Sequence, residues 1–493
     1  MFSLKIHKVY ILPSTYIVTM SFIVYKKFGK QEYAYEITSY WDRKKQMSYH
    51  KTKYLGVVID KEKKQFERKA RKKEIEKVVL DFGDAYLLHR FMEDIGIVQL
   101  IKNVFNHDAD KTLALISYRL CYCAAMMYAN TWFEGSYAKL LYNKCDISSQ
   151  EISQFLFRIG NEFIQRRFFS EYIPTVSAGK KGIIIDGTSL PNQIHMPLTS
   201  WGLSGEEIDK QIRFMLVVDK ETTSPLFFRI LPGNILDISA LTNTLEELKR
   251  FGIKESFVYT DAGFFSEDNI KEFYSNNIHF LTRLPSLRII YKELIASEIE
   301  DIESVKFAVR YGKRVLFVKQ KNIDLFGRKA YAHIVLDPER KGRETKKLLL
   351  SVIDEKSQHT EQEIEYDLSK LGIMILVSSF PLRKEEVVPA YYIRQNAEMM
   401  FGFSKDDLGI LPLRVHSEEA SQGFLFLQFL ALIVFTKMKK AIGKEYTVEE
   451  ILLTMRNLKC KVYDNEILIH ELTRQQKEIS KKLGILVPKK LGI

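Results

Sequence analysis

The sequence predicts a mixed α/β protein whose main sheet carries a β-rich insertion and follows a small β-meander and a helical region. Three observations predict this class. Residues 20–59 alternate polar and apolar side chains, and residues 84–178 repeat apolar side chains at helical spacing. From residue 181 onward, short apolar strands cluster first and then alternate with helical segments. Strands that alternate with helices favour a sheet covered by helices.

Composition narrows the classes of protein that this chain can belong to. The 493 residues are enough for two to four domains, and the hydrophobic share of 46% argues against a disordered chain. The formal net charge is +12 at pH 7. A basic balance on a chain of this size favours a polyanionic partner, and nucleic acid is the first candidate.

The cysteines exclude a disulfide scaffold and a zinc centre as the organising feature. The four cysteines form no C-x-x-C pair, and Cys121 and Cys123 lie in an apolar helical run that predicts buried thiols. The N-terminal apolar patches are interrupted by Pro13 and by hydroxyl residues, so we expect no membrane span and no signal peptide.

The N-terminal half is predicted to contain three segments. Residues 1–60 form a β-meander in which Lys and Arg alternate with aromatic residues, and we expect it to bind DNA. Residues 61–83 form a basic helix or linker, which is either a solvated surface or a surface that contacts phosphates. Residues 84–180 form a helical domain, a second candidate for DNA binding.

The C-terminal half is predicted to hold the α/β domain, residues 181–435. Residues 286–370 read as β-hairpins followed by a charged helix, so we expect an insertion there. Residues 422–442 are very apolar but short and interrupted, which is typical of a core helix. The basic tail, residues 436–493, is predicted to be helical.

Three carboxylates stand where an α/β sheet usually places its ligands. Asp186 ends the apolar string "GIIID", Asp261 ends "FVYTD", and Glu398 lies on a helix that follows another buried strand. If the three meet, their mutual repulsion requires a cation, and oxygen ligands without His or Cys favour Mg²⁺ or Mn²⁺. Two such ions support an in-line phosphoryl displacement.

Each carboxylate also has an ordinary structural explanation. Asp186 precedes a Gly-Thr-Ser string and can cap a turn, and Asp261 can accept backbone hydrogen bonds in a loop. Glu398 can pair with Arg394 one helical turn away.

The helix around residue 398 carries an unusual stripe of side chains. Tyr391, Arg394, Glu398 and Lys405 fall within roughly 60° of one another at helical spacing. The guanidinium is suited to bidentate phosphate binding and the ammonium adds a point charge. We therefore expect Tyr391, Arg394 and Lys405 to bind DNA.

The spacing Y-(2)-R-(3)-E-(6)-K of these four residues resembles the signature of IS4-type insertion-sequence transposases. The strings "IIIDGTSL", "VYTDAGFFSEDNI" and "LPLRVHSEE" are similar to the branch represented by IS1634, and the resemblance covers roughly residues 182–435. It implies a ribonuclease-H-like fold and a DDE triad of Asp186, Asp261 and Glu398. These residues would be both catalytic and the ligands of two ions, Mg²⁺ or Mn²⁺.

The resemblance also implies partners and a reaction. Such enzymes cut the terminal inverted repeats of their element and join the freed 3′-hydroxyl ends to target DNA, acting as a homodimer or larger synaptic complex. We expect a cytoplasmic prokaryotic protein, bound to the nucleoid when on DNA and not to a membrane. The alternatives are a catalytically silent DNA-binding derivative and a metal-dependent nuclease without strand transfer; the basic charge disfavours a glycosidase.

Overall fold

The computed structural model describes residues 16–29, 31–42, 45–68, 76–176, 181–192, 196–204, 207–233, 238–253, 256–354, 361–413, 415 and 417–492. The chain divides into two compact units, Met1–Ile75 and Glu76–Ile493, which we call the N-terminal unit and the C-terminal unit. Residues 1–15, the start of the predicted meander, lie outside the described residues, as do residues 69–75 of the predicted basic segment.

The N-terminal unit is built around one antiparallel sheet with the strand order β1-β2-β3-β4. Its strands are β1 (Tyr16–Phe28), β2 (Gln31–Asp42), β3 (Met47–Asp60) and β4 (Gln65–Glu67). The chain turns between β1 and β2 at Gly29, whose φ of 58° is a conformation that glycine adopts without steric cost. Strands β1, β2 and β3 are neighbours in the sheet in chain order and thus form a continuous meander.

The basic helix expected within residues 61–83 is not present in the described part of that segment. Residues 65–67 form β4, which pairs with β3, and Val78–Asp81 form a further strand, β5. The physical reason is the absence of an apolar stripe, since a helix without one has no face to bury. The apolar run Val78–Leu80 instead pairs with a strand near the C-terminus.

The C-terminal unit begins, after β5, with helices that match the predicted helical region. They are α1 (Gly83–Asp94), α2 (Ile97–Phe105), α3 (Ala109–Tyr122), α4 (Ala129–Gly135), α5 (Ala138–Leu141), α6 (Ser149–Ile159) and α7 (Glu162–Val176). Three-residue 3₁₀ helices at 106–108 and 126–128 connect some of them.

A ten-stranded mixed sheet forms the centre of this unit, which confirms the predicted mixed α/β class. Its strands are β6 (Lys181–Pro191), β7 (Ser200–Ser204), β8 (Glu207–Asp219), β9 (Pro225–Pro232), β10 (Ser256–Thr260), β11 (His279–Arg283), β12 (Ala308–Tyr311), β13 (Arg314–Leu325), β14 (Arg328–Leu336) and β15 (Ile373–Ser378). The order is β12-β13-β14-β15-β11-β10-β6-β8-β7, and β9 pairs with β8. Strands β6, β10 and β11 are parallel to one another.

The remaining helices cover this sheet or follow it. They are α8 (Ile238–Arg250), α9 (Glu267–Ser275), α10 (Ile289–Glu298), α11 (Pro338–Ile353), α12 (Glu361–Lys370), α13 (Lys384–Tyr392), α14 (Gln395–Gly402), α15 (Glu418–Ile442), α16 (Val448–Arg456) and α17 (Arg474–Lys482). Helix α15 is buried along most of its length, so the predicted core helix is present.

The segment 286–370, predicted to be an insertion into the α/β domain, contributes three strands to the central sheet. Strand β14 pairs with β15 over six residues, so β12, β13 and β14 extend the central sheet instead of forming their own body. The physical reason is the buried character of β14 and β15, whose apolar side chains need a common sheet on which to pack.

The helical region packs closely against α15. Helix α6 crosses α15 so closely that a Cβ on Gly423 would lie 1.8 Å from the carbonyl oxygen of Leu156. A Cβ on Gly160 would lie 2.0 Å from the carbonyl oxygen of Glu419. The predicted boundaries at 180 and 435 therefore fall inside one compact unit.

The tail, residues 436–493, is mixed and not purely helical. After α15 and α16 it forms β16 (Lys459–Val462), β17 (Glu466–Ile469) and, beyond α17, β18 (Lys490–Gly492). These strands make a second sheet in the order β18-β17-β16-β5. Cys460 and Val462 are buried and alternate with lysines, a period-two pattern that favours a strand.

Among the described residues, no single helix has the length and apolar character needed to cross a membrane. One bent pair, Ile97–Tyr122 with Met126–Gly135, satisfies the length and composition criteria together.

Candidate active site

Two neighbouring parallel strands bring the two aspartates together. In the pairing of β6 with β10, Ile184 lies opposite Tyr259, so Asp186 and Asp261 stand two residues further along in the same direction. Asp261 directly follows β10, as predicted, but Asp186 does not end its strand. Strand β6 continues to Pro191 because β8 pairs with it along that whole stretch.

The helix that carries the predicted stripe is broken where it meets these strands. We expected one continuous helix around residue 398, but α13 ends at Tyr392 and α14 begins at Gln395, followed by a π-helical turn at Phe403–Asp407. The backbone tightens at the break, where the amide of Arg394 donates to the carbonyl of Tyr391, three residues earlier. Arg394 stands at the break and precedes α14.

The guanidinium of Arg394 lies next to all three predicted catalytic carboxylates. Its Nη1 donates to Oδ2 of Asp186 at 2.8 Å, and its Nη2 donates to Oε1 of Glu398 at 2.6 Å. The same Nη2 lies 3.9 Å from Oδ1 of Asp261. Residues that are far apart in the sequence thus surround a single guanidinium.

Burial differs sharply among the members of this cluster. The side chains of Asp186 and Arg394 are only 9% and 13% exposed, whereas those of Asp261 and Glu398 are 38% and 49% exposed. The cluster is therefore closed on the β6 side and open to a ligand on the side of Asp261 and Glu398.

The electrostatics of the cluster follow from this burial. Burial raises the pKa of Asp186 to about 6, although Arg394 and the amide of Gly187 act in the opposite direction. Burial would lower the pKa of Arg394, but the attraction of Asp186, Asp261 and other anionic neighbours raises it above its usual range. The guanidinium thus stays charged. Its attraction offsets only part of the cost of burying a negative charge on Asp186.

Tyr391 contacts the open side of the cluster through Asp261. Its hydroxyl donates to Oδ1 of Asp261 at 3.0 Å, and its ring lies 5.6 Å from the guanidinium carbon of Arg394. Burial and the neighbouring Asp261 raise the pKa of this phenol. The hydroxyl predicted to contact a phosphate is thus bonded to a predicted catalytic aspartate.

Lys405 is held by a residue that the sequence interpretation did not single out. Its Nζ donates to Oγ1 of Thr188 at 2.8 Å, and burial lowers its pKa. Thr188 follows Asp186 by two residues on the same strand, so both side chains lie on one face of the sheet. This spacing in "DGT" is the signal from which Thr188 could have been identified.

The donor chemistry of this cluster fits a hard divalent cation. Asp186, Asp261 and Glu398 offer only carboxylate oxygens, which Mg²⁺ and Mn²⁺ prefer. Within the described ranges, no group of three or more His, Cys, Asp or Glu side chains is close enough to hold an ion. The oxygens are instead arranged around the guanidinium of Arg394, which supplies positive charge in their midst.

Comparisons with known proteins place the chain in a family. No curated protein matches the sequence. A similar solved structure is the cryo-EM structure of the piggyBac transposase synaptic complex with hairpin DNA, with 10% identity and a TM-score of 0.41, covering 76% of this chain and 79% of that one. Residues 177–434, more than half of the chain, match the family described as the transposase DDE domain. The predicted transposase relationship is confirmed, and the chain belongs to the transposase DDE domain family.

Proposed function

We propose that this protein is an active DNA transposase of an insertion sequence, of the IS4 type and similar to the IS1634 branch, with a ribonuclease-H-like catalytic core. It binds the terminal inverted repeats of its element, cleaves DNA strands and joins the 3′-hydroxyl ends to target DNA. The observation that carries this proposal is the convergence of Asp186, Asp261 and Glu398, separated by 75 and 137 residues, on one guanidinium.

The three carboxylates are the residues that would hold divalent ions. DDE transposases generally use such metals, and the donor oxygens here suit Mg²⁺ or Mn²⁺. When bound, two ions would activate the attacking oxygen and stabilise the leaving oxygen of a phosphoryl transfer.

Arg394 can bind either carboxylates of the cluster or a phosphate of DNA. Its fork now binds Asp186 and Glu398, but the same planar fork fits the oxygens of a phosphate. We propose that a DNA phosphate that reaches the open side of the cluster takes over this guanidinium. The carboxylate oxygens that Arg394 releases are those that a metal requires.

Tyr391 and Lys405 lie beside the same cluster, where Tyr391 contacts Asp261 and Lys405 contacts Thr188. Lys405 is anchored to a neutral hydroxyl, that of Thr188, and its positive charge is thus available to a backbone phosphate. The Tyr391 hydroxyl orients Asp261. A phosphate contact by Tyr391 would require that this hydrogen bond be exchanged.

The distribution of charge supports DNA binding by the N-terminal unit. Residues 1–75 contain 18 Lys and Arg against 7 Asp and Glu, which is +11 of the total net charge of +12. The C-terminal unit is thus close to neutral overall. A concentrated positive charge is typical of a surface that binds the phosphates of a nucleic-acid backbone.

We also propose an assembly and a location. Joining two element ends requires two active sites, so we propose a homodimer in a synaptic complex. A prokaryotic cytoplasmic protein that associates with the nucleoid through DNA, without a membrane, is consistent with such a role.

Two other functions would use some of the same features of the protein. A silent DNA-binding derivative would retain the basic N-terminal unit but has no need for the three converging carboxylates. A metal-dependent nuclease would use the carboxylates and stop after cleavage. The complete set of Asp186, Asp261 and Glu398 favours an enzyme, and strand transfer separates the two enzymatic alternatives.

The test is cleavage and joining of a labelled duplex that carries the terminal repeat of the element. Asp261→Asn is expected to bind the duplex as the wild type does but to abolish Mg²⁺-dependent nicking, because a metal ligand is lost. Asp268→Asn, which changes an exposed aspartate seven residues away, is the matched control and should cleave normally.

Undiminished nicking by Asp261→Asn would contradict the assignment of the triad. Joined products with an added target plasmid are expected from the wild type. Nicks without joined products would instead identify a nuclease.

A further inference from the structure

The meander of the N-terminal unit has one face that is rich in aromatic side chains. Along β2, side chains alternate between two faces, and the pairing with β1 and β3 extends each face across the sheet. Tyr33 and Tyr35 of β2 share a face with Tyr54 of β3, whose ring centre lies 6.3 Å from that of Tyr33 and 5.4 Å from that of Tyr35. We call this surface the aromatic face; its aromatic residues are Phe22, Phe28, Tyr33, Tyr35, Trp41 and Tyr54.

The aromatic face is open to solvent. Phe28 is 60% exposed, Phe22 is 43% exposed and Trp41 is 40% exposed. In the part of residues 20–68 that the structure describes, Ala34 is the one buried hydrophobic side chain, and it lies on the opposite face. A sheet with an apolar face is stabilised when that face packs on a second layer. The aromatic face therefore has apolar surface available for such a layer.

Charge is sparse on the aromatic face and lies at its two edges. From the row of Met20 to the row of Lys26, the charged residues on this face are Lys26 and Glu67. Lys26 pairs with Tyr33, Tyr33 with Val57, and Val57 with Glu67. The cation on β1 and the carboxylate on β4 therefore occupy the two ends of one row across the four strands, and both residues are exposed.

The opposite face of the meander carries more of the charge. Its charged residues in the same part of the sheet are Lys27, Glu32, Glu36, Lys51 and Lys53. A face with one cation and one carboxylate offers a polyanion no net attraction, whereas burial of its aromatic side chains against another apolar surface is favourable. The aromatic face therefore fits a protein surface better than it fits DNA.

We propose that two copies of this chain associate through the aromatic face, with the two meanders packed face to face. A two-fold axis parallel to the strands places β1 of one copy over β4 of the other and keeps each row at its own level. Lys26 of each copy then faces Glu67 of the other copy, so the surface is complementary to itself. The choice of a second copy rests on the proposed function, in which two chains act together, and the arrangement goes beyond it.

The experiment measures the mass of the full-length protein without DNA by sedimentation equilibrium over a range of concentrations. The wild type is expected to form a dimer. Lys26→Glu and Glu67→Lys should each raise the dimer dissociation constant about 5- to 100-fold, because each replaces two pairs of opposite charges by two pairs of like charges. The double variant Lys26→Glu/Glu67→Lys should restore most of the wild-type affinity, since opposite charges face each other again.

Two further variants make the result specific to the aromatic face. Phe22→Asp places a carboxylate among the aromatic side chains and should raise the dimer dissociation constant at least about tenfold, because the charge would be buried without a partner. Lys27→Glu makes the same change of charge as Lys26→Glu but on the opposite face, and it should dimerise as the wild type does. Circular dichroism of all variants shows whether the strands are retained.

Several outcomes would overturn the proposal. These are a monomeric wild type, a dimer that Lys26→Glu, Glu67→Lys and Phe22→Asp all leave unchanged, or a double variant that dimerises as weakly as the single ones. Weaker DNA binding by Phe22→Asp with an unchanged dimer would instead assign the aromatic face to nucleic acid. Because the mass is measured without DNA, the dimer can be refuted while the proposed cleavage reaction holds, and the reverse is also true.

Discussion

Arg394 is the residue that joins the three carboxylates of the candidate site. Its guanidinium is largely buried and contacts carboxylates from β6, from the loop after β10 and from α14. Buried ion pairs contribute less to stability than their geometry suggests, because both ions lose water. We therefore assign Arg394 to charge control at the site, since three carboxylates without a cation would repel one another.

The prediction at the residue scale concerns metal affinity. Arg394→Ala is expected to bind Mn²⁺ at least about tenfold more tightly than the wild type in the absence of DNA, because a competing unit charge within about 4 Å is removed. Bound Mn²⁺ can be measured by the loss of the electron paramagnetic resonance signal of the free ion.

Arg383→Ala is the matched control for this measurement. Arg383 is a mostly exposed arginine at the start of α13 that pairs with Glu386, so its removal should leave Mn²⁺ binding unchanged. Equal Mn²⁺ affinities of Arg394→Ala and the wild type would show that the guanidinium does not compete with the metal.

At the scale of elements, the crossing of α6 and α15 joins the helical region to the central sheet. Gly160 and Gly423 allow the two backbones to touch, and α15 in turn packs on β9 through Phe429, whose ring lies 5.3 Å from that of Phe228. Since β9 pairs with β8, which pairs with β6, this contact supports the strand that carries Asp186.

Gly423→Ala is expected to lower the free energy of unfolding by about 3 kcal/mol, at the upper end of what overpacking costs. The reason is that the new methyl group would meet the backbone carbonyl of Leu156, which cannot move aside as a flexible side chain does. Urea denaturation of both proteins measures the difference.

The control for this substitution is Gly342→Ala. Gly342 lies in α11, is exposed, and has no heavy atom within 4 Å of an added Cβ. That substitution should raise the free energy of unfolding by about 0.5–1 kcal/mol through helix propensity. A similar effect of both alanines would mean that the close crossing does not determine stability.

At the scale of the whole molecule, positive charge and candidate catalytic groups belong to different units. Nearly all the net charge lies in the N-terminal unit, whereas the converging carboxylates lie in the C-terminal unit. The electrostatic part of DNA affinity is therefore expected to come from residues 1–75.

Removal of residues 1–75 should make DNA binding much less dependent on salt. Each phosphate contact contributes a slope of about −0.9 to log K against log [salt], so the loss of a few contacts reduces the slope by roughly 3 or more. Titrations of a duplex at several salt concentrations measure both slopes.

The double variant Lys477→Gln/Lys481→Gln of the full chain, which changes exposed lysines of α17, should keep the wild-type slope. An unchanged slope after removal of residues 1–75 would place the phosphate contacts in the C-terminal unit. Circular dichroism of the shortened chain shows whether its helices and strands are retained.

Local patterns were sufficient for much of this architecture. Alternation predicted the strands of the meander, and helical spacing predicted the helical region that contains α1 to α7. The spacing of Tyr391, Arg394, Glu398 and Lys405 predicted one candidate site segment. These features depend on neighbouring residues and on which side chains can be buried, and both are readable along the chain.

Contacts between distant segments could not be inferred in this way. The extension of the central sheet by β12 to β14, the pairing of β5 with β16, and the break before Arg394 depend on which surfaces are left to cover after collapse. The same is true of the neighbours of Arg394: the stripe predicted a cation on one helix face, and only the folded chain shows that three carboxylates surround it. Spacing determines which side chains share a face, whereas the choice of partner depends on burial and on charges contributed by the rest of the chain.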